Sequence, residues 1–215
     1  MDALIFVDIQ SDFVPGGALP VPHGREVVAV ANRLVPAFDL IVATQDWHGP
    51  QHASFASAHP GKSVGECIDL HGVPQVLWPD HCVRGTAGAA FVAELDTARL
   101  ARVFRKGTDD DVDSYSGFFD GDRRHSTGLA EFLRERGVSD VYVLGLATDY
   151  CVKATALDAI DLGFTTYLVV DGCRGVDIMP GDTRRAVEEM AARGVCVFTS
   201  TDLLPRAAGA TARRI

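Results

Sequence analysis

The chain passes from an apolar strand into a helix within the segment Val141-Tyr142-Val143-Leu144-Gly145-Leu146-Ala147-Thr148-Asp149-Tyr150-Cys151. The consecutive apolar residues at 141–144 predict a strand buried on both faces, as in a parallel sheet. The pattern at 152–162 predicts a helix, so the turn places Cys151 at a helix N-terminus. The backbone N–H groups there would favour a thiolate near neutral pH and could bind an oxyanion. The alternative is an inert core cysteine, which is the usual role of an isolated cysteine.

The rest of the chain repeats this alternation of apolar runs and helical patterns. Strands are predicted at 4–7, 40–43, 101–105, 141–144, 165–170 and 195–198, and helices at 25–38, 88–95, 128–136, 153–162 and 183–193. This order predicts an α/β fold, namely a single-domain, doubly wound (Rossmann-like) sheet of about six mainly parallel strands with helices on both faces. Residues 1–205 are expected to form the domain, and residues 206–215 a frayed tail.

Composition restricts the kind of protein and its partners. The 215 residues suit one domain, and 47% hydrophobic residues indicate an ordinary globular protein. A net charge of −9 argues against nucleic acid and anionic membranes as partners. No apolar run approaches the ~20 residues that span a bilayer, and no signal peptide pattern precedes the first strand. Five cysteines without repeated spacing argue against a disulfide framework, so a cytoplasmic protein is expected.

Three reactive side chains follow predicted strands. Asp8 follows the first strand, Lys106 the third, and Cys151 the fourth. Ligands of doubly wound sheets bind beyond the carboxyl ends of the strands, so we expect these residues to converge there. A carboxylate can accept the thiol proton, and an ammonium can stabilise both the thiolate and the ionised carboxylate. Each residue alone could be structural, but their coincidence favours catalysis.

A candidate metal site follows the second strand. Asp46 and His48 alternate in extended chain, so both side chains point to the same side, and His81 lies in the loop segment 78–82. One carboxylate and two imidazoles suit a divalent ion such as zinc, iron or manganese. His52 is either a further ligand or structural, with the structural role favoured. The irregular segments 45–87 and 107–127 are long enough to be loops that build the site.

Five segments, in order along nearly the whole chain, resemble the nicotinamidases of the isochorismatase-like cysteine hydrolase superfamily. They are Phe6-Val7-Asp8-Ile9-Gln10-Ser11-Asp12-Phe13, Gln45-Asp46-Trp47-His48 with His52-Ala53-Ser54-Phe55, Trp78-Pro79-Asp80-His81-Cys82-Val83, Arg105-Lys106-Gly107 with Asp113-Ser114-Tyr115-Ser116-Gly117-Phe118, and Gly145-Leu146-Ala147-Thr148-Asp149-Tyr150-Cys151-Val152. Any one segment could match by chance, but five in the family's order are highly specific. The resemblance therefore implies the family's isochorismatase-like hydrolase fold.

The resemblance also implies a role for each matching residue. Cys151 would be the nucleophile, Asp8 the general base and acid, and Lys106 their electrostatic partner. Asp46, His48 and His81 would bind one divalent metal ion, with zinc preferred. Phe13, Trp78 and Tyr115 would form the substrate pocket. The Leu146–Ala147 peptide bond is expected to be cis, which would turn the Ala147 N–H toward the same oxyanion as the Cys151 N–H.

The implied activity is hydrolysis of nicotinamide to nicotinate and ammonia through a thioester, as in NAD salvage. The sequence gives no direct signal for the oligomeric state, so a homo-oligomer is possible. One alternative is an amidohydrolase of the same superfamily acting on a carbamoyl or ureido substrate, which would not need a metal to position a ring. An isochorismatase acting on a vinyl ether would not require Cys151. A third alternative is a non-catalytic redox or metal-sensing protein, for which Asp8 and Lys106 would have no purpose.

Overall fold

The computed structural model describes residues 1–203, in which eight strands form two sheets. The strands are β1 Asp2–Val7, β2 Leu40–Asp46, β3 Cys67–Leu70, β4 Val73–Val76, β5 Leu100–Lys106, β6 Asp140–Leu146, β7 Thr165–Arg174 and β8 Cys196–Phe198. Six of them form a parallel sheet in the order β5-β2-β1-β6-β7-β8. The predicted α/β sheet of six strands is therefore confirmed. Its central strands β1 and β2 are buried along almost their whole length, which explains their unbroken apolar sequence.

Five helices connect or follow the strands within the described residues. They are α1 Glu26–Leu34, α2 Leu129–Glu135, α3 Lys153–Asp161, α4 Asp182–Ala192 and α5 Ser200–Leu203. α1 buries residues at helical spacing (Val27, Val30, Ala31 and Leu34) and packs against β6 and β7. α3 also packs against β6 and β7, and it contacts α4. None of the described helices is long and apolar enough to cross a membrane.

The strand order places a crevice at the middle of the sheet. From β1 the chain moves outward through β2 to β5, and from β6 it moves outward through β7 to β8 on the other side. Crossovers between parallel strands are right-handed, so this reversal puts the helices of the two arms on opposite faces. The loops after β1 and β6 consequently diverge, and ligands of such sheets bind between them. The carboxyl ends of β1 and β6 therefore define the expected position of an active site.

One predicted helix is wrong. Residues 88–95 form turns, because their backbone groups pair with the segment after β1 instead of with each other. The Ala90 carbonyl accepts a hydrogen bond from Ser11 N at 2.9 Å, and Val92 N donates to the Ile9 carbonyl at 3.0 Å. This pairing holds the loop before β5 against the segment that carries Asp8 and Phe13.

Two other expectations concern the loops and the end of the chain. The irregular segment 45–87 contains the antiparallel hairpin β3–β4, which no sequence pattern indicated. The segment 107–127 has no helix or strand and begins at the carboxyl end of β5. The predicted tail at residues 206–215 lies outside the described residues.

Candidate active site

Lys106 lies at the centre of a buried cluster formed at the carboxyl ends of four neighbouring strands. It is the last residue of β5 and pairs in register with Asp46, the last residue of β2. Asp8 directly follows β1, and Cys151 lies in the turn after β6. Lys106 Nζ lies 2.9 Å from Asp8 Oδ2 and 3.3 Å from Cys151 Sγ, and it donates a hydrogen bond to Asp46 Oδ1. The structure thus brings together the three side chains that follow predicted strands.

The charges in this cluster are unequally stabilised. Burial would lower the pKa of Lys106, but Asp46 and Asp8 raise it well above the ordinary value, so the ammonium stays protonated. Burial would raise the pKa of Asp46, but Lys106 and the neighbouring His48 hold it below the ordinary value. For Asp8, burial outweighs Lys106 and raises the pKa to about 6. Asp46 is therefore a fixed anion, whereas Asp8 can gain and lose a proton near neutral pH.

Cys151 lies in a single π-helical turn, Thr148–Val152, that leads directly into α3. Its side chain is 6% exposed. Burial raises the pKa of the thiol well above its ordinary value, although Lys106 opposes this shift. Burial therefore opposes the expected thiolate near neutral pH, because the anion would be desolvated. The thiol needs a proton acceptor, and a carboxylate oxygen of Asp8 lies within 4.8 Å of Sγ.

The backbone around this turn is closely packed. The Leu146–Ala147 peptide bond is cis, in agreement with the resemblance. The Ala147 carbonyl accepts hydrogen bonds from Tyr150 N and Val152 N, both at 3.1 Å, which closes the turn. A Cβ atom on Gly145 would lie 2.0 Å from the Val7 carbonyl oxygen, so only glycine fits where β6 passes the end of β1. The turn and Asp8 are held close by this contact between backbones.

Thr44 fixes the orientation of Asp8, and sequence analysis missed it. Its Oγ1 donates a hydrogen bond to Asp8 Oδ1 at 2.6 Å and accepts one from Asp8 N at 3.3 Å. Both residues are fully buried. A signal was present in the sequence, because Thr44 precedes Asp46 by two positions on β2 and so faces the same side of the sheet.

The three predicted metal ligands lie next to this cluster. Asp46 Oδ2 lies 3.7 Å from His48 Nε2 and 3.9 Å from His81 Nε2. His48 Nδ1 lies 2.9 Å from the Gly107 carbonyl, and His81 Nδ1 lies 2.8 Å from the Pro79 carbonyl. Because a carbonyl only accepts, each Nδ1 carries a proton, which leaves Nε2 as the atom that can bind a metal. Burial and His48 lower the pKa of His81 to about 4, so it stays neutral, as a ligand must. The donor set therefore fits a divalent ion.

His52 contacts this group without belonging to it. Its ring centroid lies 4.2 Å from that of His48, and its Nδ1 lies 2.8 Å from Ser54 Oγ. Its Nε2 is buried and has no hydrogen-bond partner. Ligand atoms of His52, His48 and Asp113 lie within 4.8 Å of one another. His52 thus extends the polar cluster beyond His48 toward Ser54 and Asp113.

An aromatic cavity opens onto both Cys151 and the metal ligands. Phe13 lies against His81, with ring centroids 5.5 Å apart. Trp78 Nε1 donates a hydrogen bond to Tyr115 Oη at 3.0 Å, which fixes these two rings relative to each other. The three predicted substrate-pocket residues line this cavity, together with Leu19, Asp46, His48, His81, Asp113, Ala147, Tyr150, Cys151 and Val176.

Gln75 and Asp149 are further polar residues that sequence analysis missed. Gln75 lies on β4, and its Nε2 donates to Tyr115 Oη at 3.2 Å and to Asp113 Oδ2 at 3.0 Å. Asp149 lies in the turn beside Cys151 and accepts backbone hydrogen bonds from the loop after β7. No local pattern indicates either contact, since the partners lie 27 to 40 positions apart in the chain.

A doubly wound sheet that carries a cysteine, a carboxylate and a lysine at its carboxyl edge is the arrangement of a hydrolase built on an open parallel sheet. The family model for the isochorismatase domain matches residues 2–202. The chain therefore belongs to the isochorismatase family, as the sequence predicted.

Similar proteins of known name fall within the same family. The chain is 47% identical to a nicotinamidase from Escherichia coli, over 93% of this chain and 95% of that protein. A solved nicotinamidase/pyrazinamidase structure from Acinetobacter baumanii is 44% identical with a TM-score of 0.92, covering 94% of this chain and 98% of the other. A pyrazinamidase from Pyrococcus horikoshii, solved in complex with zinc, is 42% identical with a TM-score of 0.75, covering 92% and 98%.

Proposed function

We propose that this chain hydrolyses nicotinamide to nicotinate and ammonia through a thioester on Cys151, with one divalent metal ion bound by Asp46, His48 and His81. The observation that carries the proposal is the single aromatic cavity whose lining contains both Cys151 and all three metal ligands. A flat pyridine ring fits between aromatic side chains, and its nitrogen is a ligand for a divalent ion. A carbamoyl or ureido substrate would use Cys151 but would leave the metal ligands without a purpose.

The first half of the reaction forms the thioester. Asp8 accepts the proton of the Cys151 thiol while the Lys106 ammonium stabilises the developing thiolate. The sulfur attacks the carboxamide carbon, and the N–H groups of Ala147 and Cys151 bind the oxyanion; removal of one such donor typically costs about 3–4 kcal/mol. Asp8 then returns its proton to the amide nitrogen, the C–N bond breaks, and ammonia leaves.

The second half of the reaction releases the acid. Asp8, now ionised again, removes a proton from a water molecule that attacks the thioester carbon. The C–S bond breaks, the thiolate of Cys151 recovers a proton from Asp8, and nicotinate is the product. Lys106 keeps its positive charge throughout, because its pKa lies well above the ordinary value. One carboxylate therefore serves as base and acid in both halves.

A divalent ion at Asp46, His48 and His81 would supply a Lewis acid that orients the substrate through its ring nitrogen. The aromatic walls formed by Phe13, Trp78 and Tyr115 would hold the ring in the plane that presents its carboxamide to Cys151. The structure of the Pyrococcus horikoshii relative in complex with zinc supports a bound divalent metal. The names of the Escherichia coli and Acinetobacter baumanii relatives support the substrate.

The proposal is tested by ammonia release from nicotinamide with the purified protein and its Cys151→Ala variant. The variant should lose at least about 10⁴-fold in kcat, since removal of a catalytic nucleophile leaves only binding and oxyanion stabilisation. The wild-type protein incubated with substrate and quenched in acid should also show a mass increase on the peptide containing Cys151.

Cys173 provides a matched control. It is a second buried cysteine, on β7, and its thiol donates to the Val169 carbonyl outside the cavity. Cys173→Ala should therefore keep kcat within about threefold, because it leaves every group of the cavity in place. Ammonia release by Cys151→Ala at a near-native rate, or none by the metal-loaded wild-type protein, would contradict the proposed function.

A further inference from the structure

Asp149 connects the turn that carries Cys151 to the loop that follows β7. This loop, residues 175–181, is called the β7–α4 loop below. Asp149 Oδ1 accepts a hydrogen bond from Val176 N at 3.0 Å, and Oδ2 accepts one from Asp177 N at 2.8 Å. The Asp149 side chain is buried, so these bonds lie away from competing water. Two consecutive backbone N–H groups are thus bound by a single carboxylate.

The other hydrogen bonds that the structure describes for this loop run toward α4. Asp177 accepts from Thr183 N and from Thr183 Oγ1, both at 2.8 Å, and Met179 N donates to Asp182 at 2.8 Å. Residues 177–180 are exposed. The end of the loop that lies near the cavity is therefore fastened by Asp149, and the end that lies near the helix is fastened by Asp177.

Gly175 shows that the loop approaches the turn at the limit of contact. A Cβ atom at this position would lie 1.8 Å from Thr183 Oγ1 and 3.1 Å from Asp149 Oδ1. Any larger residue would collide first with Thr183 at the start of α4. Glycine at this position therefore lets the loop lie close to both Thr183 and Asp149.

The residue held by this contact is part of the cavity wall. Val176 lines the cavity together with Cys151, Leu19 and Tyr150. We infer that Asp149 is a positioning residue that fixes Val176 against the substrate ring and so sets the affinity for a flat, unsubstituted aromatic carboxamide. This inference rests on the proposed function, because it concerns the same cavity, but the link between Asp149 and the loop can be measured separately.

The test is the Asp149→Asn variant, which keeps the size of the side chain. Asparagine has one acceptor oxygen, and its NH₂ group would face a backbone N–H, so one of the two hydrogen bonds must be lost. The KM for nicotinamide should rise at least about fivefold while kcat falls less than about threefold, which is the signature of lost ground-state binding. Amide hydrogen exchange of Val176 and Asp177 should become faster.

Asp177→Asn is the matched control, since it makes the same chemical change at the other end of the same loop. Its KM should stay within about twofold of the wild type, because Val176 remains bound to Asp149. In Val176→Ala the KM should already be raised, and adding Asp149→Asn should raise it little further, because both changes affect the same wall.

Unchanged exchange at Val176 and Asp177 in Asp149→Asn would overturn the inference, and so would independent, multiplying effects of Asp149→Asn and Val176→Ala on KM. A KM effect as large in Asp177→Asn would also overturn it, because general loosening of the loop would then be the cause. Absence of nicotinamide turnover in the wild-type protein contradicts the proposed function alone, and the exchange measurement still decides whether Asp149 holds Val176.

Discussion

Three titratable side chains of the buried cluster, Asp8, Lys106 and Cys151, respond differently to burial. Lys106 keeps its charge because two carboxylates surround it, whereas Cys151 keeps its proton because its thiolate would have to be desolvated. Asp8 lies between these extremes, with its pKa raised to about 6. A base whose pKa lies just below neutral pH is ionised in the cell and still basic enough to take a proton. The division of roles thus follows from the neighbours of each side chain.

The pH dependence of kcat/KM should report the ionisation of Asp8. Only the carboxylate can accept the thiol proton, so kcat/KM should fall about tenfold per pH unit below about pH 6. The Thr44 hydroxyl donates to Asp8 Oδ1 and lowers the pKa of Asp8. Thr44→Val should therefore move the acid limb to higher pH by about one unit, as expected for a lost hydrogen bond to a charged group.

The control for this measurement is Thr166→Val. Thr166 is a fully buried threonine on β7 whose hydroxyl donates to the Phe164 carbonyl, away from the cluster. Its acid limb should coincide with that of the wild type. An acid limb that stays in place in Thr44→Val would show that a group other than Asp8 controls the rate.

Sequence analysis located the reactive residues because parallel strands bring their carboxyl ends to one edge. Asp8, Lys106 and Cys151 could each be placed from an apolar run and the residue that follows it. The contacts of Thr44, Gln75 and Asp149 could not be placed, because each depends on how two distant segments pack. The effect of burial on the Cys151 thiol could not be predicted either, since a helix N-terminus is visible in a sequence but the burial of its thiol is not.

At the scale of elements, the strands were easier to predict than the connections between them. The central strands β2, β1 and β6 are apolar because both of their faces are covered, whereas the edge strands β5 and β8 are mostly exposed. Only one strand residue of the hairpin β3–β4 is buried, and the hairpin contains Pro74, so its sequence has no comparable apolar pattern. Residues 88–95 have a helical pattern, but pairing with the segment after β1 satisfies their backbone groups instead.

The contact between β1 and β6 makes Gly145 a sensitive position for stability. An alanine Cβ would collide with the Val7 carbonyl oxygen at 2.0 Å, and the φ of +135° is strained for any other residue. Gly145→Ala should lower the free energy of unfolding by about 2–6 kcal/mol, which combines overpacking with backbone strain. Urea unfolding monitored by circular dichroism measures this change.

Gly137 is the matched control for this substitution. It also has a positive φ, of +67°, but no heavy atom lies within 4 Å of its would-be Cβ. Gly137→Ala should cost about 1–2 kcal/mol, from the left-handed backbone alone. Equal losses in the two variants would show that the close approach of β6 to Val7 contributes nothing beyond backbone conformation.

At the scale of the whole molecule, the three proposed metal ligands come from the end of a strand and from two loop segments, which are paired by backbone hydrogen bonds of His48 with Cys82 and Arg84. Asp46 ends a strand of the central sheet, His48 begins the long loop after it, and His81 belongs to the segment that precedes the turn before β5. A bound ion would therefore fasten the loops that form the cavity to the sheet. Metal binding should consequently affect stability as well as activity.

Removal of the metal should lower both the melting temperature and the rate of ammonia release. An ion present at about a thousand times its Kd contributes about 4 kcal/mol, which corresponds to about 10 °C for a domain of this size. Activity should fall at least about a hundredfold, because the ring loses its positioning contact. Differential scanning calorimetry and the ammonia assay, before and after chelation and after addition of zinc, iron or manganese, measure both effects and identify the metal that restores them.

Two variants assign these effects to the Asp46–His48–His81 group. His81→Ala should bind less than one equivalent of metal and show no change in melting temperature on chelation. His125→Ala is the control. His125 is exposed and lies with Asp120 and Asp122 in another group of potential metal ligands among the described residues, outside the cavity. It should keep one equivalent of metal and the full response to chelation. A stabilising ion that persists in His81→Ala but is lost in His125→Ala would place the metal at the surface, and the ring-positioning role of the buried group would then be wrong.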